Sequence, residues 1–153
     1  MAEWNESLTA PDPGEAAEVA NRLVREGQGG TMVKLIGLEY VELSGQRVVA
    51  RIPVAPNTQP YGLLHGGATA ALCETAASIG TAFAVGPEKL VTGIELNVNH
   101  LRAVHDGHVT VTAEPLHVGR TTAVWDMRVR DDRDRLVAVS RLTLAVRDPS
   151  PSP

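Results

Sequence analysis

The chain has 153 residues, a length typical of one domain. Its composition, 43% hydrophobic and 21% charged, is that of a globular protein and not of a disordered or fibrous one. A net charge of −4 excludes the broad basic surface with which proteins bind nucleic acid or anionic membranes.

The two ends of the chain are polar and rich in proline. We expect disordered segments at 1–14 and 148–153, on either side of one domain at 15–147. The first segment has neither the basic nor the apolar stretch of a secretory signal. The single cysteine, Cys73, excludes an internal disulfide and a cysteine-based metal centre. Together these features predict a cytoplasmic protein.

Residues 15–28 carry apolar side chains at helical spacing and are followed by a glycine pair, which predicts a short helix. Runs rich in β-branched residues then predict strands, the first two joined by Ser44-Gly45-Gln46 as a hairpin. The charged residues of 126–135 predict a solvated hairpin tip. The predicted strands cover 32–43, 47–55, 90–104, 108–118, 121–131 and 135–147.

Between the second and third strands, residues 66–84 predict one long helix that is rich in alanine. Its length approaches that of a membrane span, but Glu74 lies near its centre, where a charge costs about 2.5–3.5 kcal/mol on insertion scales. We therefore expect a helix buried on one face of an antiparallel sheet, in an α+β fold. Four apolar residues at helical spacing are expected to face the sheet: Leu72, Ala76, Ile79 and Phe83.

Two features of this helix point to chemistry. Gly66 and Gly67 leave backbone N–H groups uncovered at the positive end of the helix dipole, where a negative oxygen binds well, although glycines here can also serve only a tight turn. Glu74 is an acid in an uncharged stretch. If apolar walls confine it, it is suited to act as a nucleophile or a base; the alternative is that it lies on a helix face that reaches solvent. Ser78 shares its face and either holds a water there or bonds to its own helix backbone.

Geometry separates the two features. Gly66 and Glu74 are eight residues apart, which is about 12 Å along a helix. One reacting carbonyl cannot touch both groups of the same chain. If both act on it, they come from two chains related by a twofold axis, so a catalytic role predicts a homodimer.

The chain resembles the hotdog-fold acyl-CoA thioesterases over about residues 33–146. The resemblance rests on QPYGLLHGG at 59–67, on Glu74 and on GIELNVNH at 93–100, with PLHVGR at 115–120 and SRLT at 140–143. These strings are similar to the branch with bacterial 1,4-dihydroxy-2-naphthoyl-CoA and Arthrobacter-type 4-hydroxybenzoyl-CoA thioesterases. The resemblance implies five to six antiparallel strands wrapped around one long helix, and dimers that pair into a homotetramer.

The resemblance also implies roles in catalysis. Glu74 would attack the thioester carbonyl or activate water for that attack, and the Gly66 N–H of the partner chain would polarise the carbonyl oxygen. Gln59 and His65 would orient the thioester and its water. Ser78 would lie beside the nucleophile or water. No metal and no cofactor are implied, because CoA is part of the substrate.

Further residues match positions that bind substrate in the family. Ala68 and Thr69 would line the acyl pocket. His100, Arg102 and Arg120 would hold the nucleotide or phosphates of CoA. The resemblance favours hydrolysis of an aromatic acyl-CoA. It leaves open a phenylacetyl or medium-chain preference, a module that binds acyl-CoA without turnover, and a hydratase on the same fold.

Overall fold

The computed structural model describes residues 12–28 and 30–149. The ends predicted to be disordered fall largely outside the described residues, since 1–11 and 150–153 are not among them. The first helix, α1, spans Pro13–Arg25 and begins two residues before the predicted start. Asp12 caps it by accepting hydrogen bonds from the N–H groups of Gly14 and Glu15, and proline suits the first position of a helix.

A second short helix, α2 (Thr31–Leu35), corrects the prediction of a strand over 32–43, of which only the end is β1. Val33 and Ile36 are both buried although they are three residues apart. That spacing fits a helical turn and breaks the alternation of a strand. Gly30, whose φ is 84°, begins the turn.

Six antiparallel strands form one sheet in the order β1-β2-β4-β5-β6-β3, which confirms the predicted architecture. The hairpin between the first two strands is closed by the Ser44 N–H, which donates to the carbonyl of Arg47 at 2.9 Å. The strands are β1 (Glu39–Leu43), β2 (Val48–Pro53), β3 (Leu90–His100), β4 (His108–Val118), β5 (Thr122–Asp131) and β6 (Leu136–Arg147).

The long helix α3 (Gly66–Val85) contacts every strand of the sheet. Leu72 and Ala76 are buried as expected, but Ile79 and Phe83 are only half-buried. The buried face is instead centred on small residues, because the fully buried ring of Trp125 packs directly against Gly80. By length and composition alone α3 could span a membrane, and a core helix passes the same test.

Candidate active site

The first turn of α3 uses all but one of its free amides. The Nδ1 of His65, the N-cap residue, accepts the Gly67 N–H at 2.8 Å, and its carbonyl accepts those of Ala68 and Thr69 at 3.0 and 3.3 Å. The Gly66 N–H has no acceptor among the described residues. One donor at the positive end of a 20-residue helix therefore remains available.

The loop before α3 is held by backbone hydrogen bonds. The Gln59 N–H donates to the Leu63 carbonyl at 2.8 Å, and the Gln59 carbonyl accepts the Gly62 N–H at 2.9 Å. The His65 N–H donates to the Asn57 carbonyl at 2.8 Å. The half-buried Gln59 and the exposed His65 thus belong to one loop that leads into the helix.

The predicted CoA-binding residues lie apart in the fold. His100 ends β3, and its ring lies over Gly66 at the start of α3. Arg102 follows β3, Arg120 lies in the turn after β4, and both are exposed. Of the three, only His100 is placed against the helix start, and the role of all three in binding CoA stays a prediction.

Glu74 lies in the middle of α3, half-buried, in a cavity of about 500 Å³ that it shares with Ser78. Its carboxylate has neither a hydrogen bond nor an ion pair among the described residues. Desolvation by burial raises the pKa of Glu74. An acid with an unsatisfied carboxylate and a raised pKa is suited to take up a proton or to attack an electrophile.

The other cavity walls come from separate parts of the chain. Thr75, Ile79 and Ala82 line it from α3, and Lys89 and Val91 line it from the start of β3 and the turn before it. The remaining wall residues are Gln28, Val33 and Tyr40. The Lys89 ammonium forms an ion pair with Asp148 at 2.5 Å.

Sequence reasoning did not assign these wall residues, because nothing local joins 28–40 to the middle of α3. The sequence does carry one signal of a close approach to β3, because Gly93 interrupts a β-prone run. A glycine inside a strand often marks a bulge or a close approach. Ala68 and Thr69 do not line this cavity, and Thr69 is only 1% exposed.

Residues 61–138 match the family described as the thioesterase superfamily. This range begins just before the start of α3 and includes the helix and the strands from β3 to β5. The chain belongs to the thioesterase superfamily.

Two relatives of this thioesterase have stated activities. A 1,4-dihydroxy-2-naphthoyl-CoA hydrolase of Listeria monocytogenes is 42% identical over 113 residues, covering 73% of this chain and 92% of that protein. A proofreading thioesterase of Cronobacter turicensis is 41% identical over 118 residues, covering 76% of this chain and 86% of that protein.

The fold of the thioesterase has a close match among solved structures. A thioesterase from Haemophilus influenzae superposes with a TM-score of 0.79 and 36% identity, covering 86% of this chain and 90% of that one. The protein is thus an enzyme with the hotdog fold, and its family hydrolyses thioesters. Thioester hydrolysis needs an activated nucleophile and stabilisation of an oxyanion, the chemistry that a free carboxylate and a free amide offer.

Proposed function

We propose that this protein hydrolyses an aromatic acyl-CoA thioester to the free acid and CoA. Glu74 acts as general base or as nucleophile, and the Gly66 N–H of a second copy stabilises the oxyanion. Water adds its oxygen to the carbonyl carbon, the C–S bond breaks, and the CoA thiolate leaves with the proton that the water gives up. In the nucleophilic route a mixed anhydride with Glu74 forms first, and water then cleaves it.

The observation that carries this proposal is the unpaired state of Glu74. A half-buried carboxylate without a partner costs folding free energy, and a structural role would favour a cation beside it. Family relatives that hydrolyse thioesters support a chemical role for it. Ser78 lies in the same cavity, one helical turn after Glu74, and in this proposal it holds the attacking water.

The position of β3 supports our proposal that a homodimer is the catalytic unit. This strand of 11 residues lies at the edge of the sheet, with Leu90 52% exposed and Ile94 62% exposed. Long apolar edge strands pair readily with another chain. A second copy paired along β3 would bring the start of its α3 toward the cavity of Glu74. We propose that two such dimers form a homotetramer.

The lining of the cavity supports an aromatic acyl group. Ile79, Ala82 and Val91 are apolar wall residues, whereas Tyr40 and Lys89 are wall residues that carry polar groups. A flat ring with a polar substituent suits such a mixed lining better than an alkyl chain. The naphthoyl-CoA activity of the relative from Listeria monocytogenes supports the same class.

The test compares CoA release from hydroxybenzoyl-, phenylacetyl- and octanoyl-CoA. We expect the highest kcat/KM with hydroxybenzoyl-CoA, and a loss of at least about 100-fold in Glu74→Ala. Glu88→Ala is the matched control, because it removes an exposed glutamate that does not line the cavity. Equal rates in wild type and Glu74→Ala would refute the proposal. Binding without turnover across the panel would favour the non-catalytic module.

We further propose that the reaction needs no metal and no cofactor and that the protein works in the cytoplasm. A carboxylate and a backbone amide are sufficient for a thioester, whose thiolate leaves readily. Activity is expected to survive dialysis against EDTA and not to rise when divalent cations are added back. A loss of activity on dialysis that zinc or magnesium restores would contradict this.

A further inference from the structure

Gly93 lies in β3 directly beside the carboxylate of Glu74. A Cβ built at Gly93 would overlap the Oε1 atom of Glu74, and it would lie 3.1 Å from the Cδ and 3.5 Å from the Oε2 of the same carboxylate. Apart from Gly93 and its two chain neighbours, these are the three atoms nearest to that position. A side chain at residue 93 would therefore occupy the space of the carboxylate.

The backbone at Gly93 does not itself require glycine. Its φ lies outside the left-handed region, and the residue pairs with Leu144 in the ladder between β3 and β6. A residue with a side chain adopts an extended conformation without strain. The absence of a side chain at 93 therefore has one evident effect, which is to leave room for Glu74.

The strand is also bulged at this point. The ladder skips Ile94 between Gly93 and Glu95, and beyond the bulge Leu96 and Val98 pack against the core. In a regular strand, residue 94 would share the face of these two residues. The bulge turns that isoleucine away and brings glycine onto the face that meets the helix.

We propose that Gly93, with the bulge at Ile94, is a positioning residue that sets where the Glu74 carboxylate stands for reaction. This inference rests on the proposed function, in which Glu74 acts on the thioester. A displacement of about 1 Å at a reacting group can cost about 100-fold in rate. A single methyl group at residue 93 would force a displacement of that order.

The first test is Gly93→Ala. We expect kcat to fall about 10- to 100-fold while KM changes by less than about twofold, because the walls that bind the acyl group are unchanged. The acid limb of kcat/KM should also move to lower pH, since the displaced carboxylate regains solvent. Thr92→Ala is the control, because it alters the neighbouring exposed residue and should keep kcat within about twofold.

The second test is a double-mutant cycle with Glu74. In the Glu74→Ala background the methyl group has room, so Gly93→Ala should change the residual rate by less than about twofold. It should also cost less in Glu74→Asp, whose shorter side chain withdraws from β3. Unchanged kcat in Gly93→Ala, or an equal loss in both the Glu74 and Glu74→Ala backgrounds, would overturn the positioning role alone. A wild-type rate in Glu74→Ala would overturn the proposed function with it.

Discussion

The imidazole of His100 lies across the Cα of Gly66, with its Nε2 2.9 Å from the point that a Cβ at residue 66 would occupy. His100 ends β3 and Gly66 begins α3, so the contact joins the open edge of the sheet to the positive end of the central helix. The φ of Gly66 lies outside the left-handed region, so the backbone does not require glycine there, but a side chain at residue 66 would displace the imidazole ring of His100.

Replacing His100 with alanine is expected to weaken binding of the nucleotide part of CoA. The ring is exposed, and a lost hydrogen bond to a charged phosphate is worth about 1.5–3 kcal/mol, or about 10- to 100-fold in kcat/KM. Comparing an acyl-CoA with the matching acyl-pantetheine tests this, since only the former carries the nucleotide. An equal loss with both substrates would instead place the effect of His100 at the start of α3.

As the pH is lowered, the activity of this thioesterase is expected to be lost at a higher pH than for an enzyme that uses a glutamate of ordinary pKa. Burial raises the pKa of Glu74 above its usual 4.5. The carboxylate is the reactive form, so the protonated and inactive fraction grows as the pH falls through that raised value. The measurement is kcat/KM against pH, with Glu88→Ala as control. An acid limb at or below 4.5 would contradict the desolvated setting of Glu74.

Much of the fold could be predicted because the sequence carries strong local signals. Glycine and proline separate the β-prone runs, and an uninterrupted stretch rich in alanine leaves only a helix for 66–84. The prediction of a strand at 32–35 was wrong, because a segment of five residues, 31–35, is too short for its apolar spacing to distinguish a helical turn from a strand. Val33 lies in this segment and Ile36 follows it. Their burial depends on what packs over them.

The candidate site likewise has residues that local sequence signals predicted and residues that depend on tertiary packing. Glu74 stood out because a charge in an apolar helix needs a reason, and Gly66 because a helix start with glycine leaves amides bare. Ile79 packs against the core as predicted, but it is only half-buried and also lines the cavity, because Trp125 packs against Gly80 at the centre of the buried face. The contribution of Gln28 and Tyr40 to the cavity depends on tertiary packing that no local pattern encodes.

Tyr40, a wall residue of the cavity, is held by the side chain of Asn21, which pairs with its backbone. The amide of Asn21 donates to the Tyr40 carbonyl at 2.7 Å and accepts the Tyr40 N–H at 2.8 Å, which ties α1 to the edge of β1. Asn21→Ala is expected to lower the free energy of unfolding by about 1–3 kcal/mol, because two partly buried backbone groups lose their partner.

Denaturant unfolding measures this change. Asn21→Asp should also lose stability, since its carboxylate keeps the Tyr40 N–H but sets a charged oxygen against the Tyr40 carbonyl. Arg22→Ala is the control because it removes an exposed neighbour on α1. An unfolding midpoint for Asn21→Ala equal to that of the control would show that the pair with Tyr40 adds nothing to stability.

Asp131 was expected to belong to a solvated hairpin tip, but it is only 8% exposed and organises the turn between β5 and β6. Its Oδ1 accepts the N–H groups of Arg133 and Arg135 at 3.0 Å, and its Oδ2 accepts the Arg135 Nε–H at 2.8 Å. The hydrogen bond from the Arg135 side chain is the largest cause that lowers the pKa of Asp131 from 3.8 to about 2.

This lowered pKa predicts how stability changes with pH. The folded state holds the carboxylate ionised, so Asp131 stabilises the fold above its ordinary pKa of 3.8, and the contribution is lost as the pH falls toward 2. Asp131→Asn should therefore lower Tm at pH 7, and its difference from wild type should shrink at acid pH. Asp134→Asn is the control, because that exposed carboxylate in the same turn lies 3.7 Å from Arg130 and forms no shorter ion pair within residues 12–28 and 30–149. A Tm difference for Asp131→Asn that stayed constant from neutral to acid pH would show that its charge does not stabilise the turn.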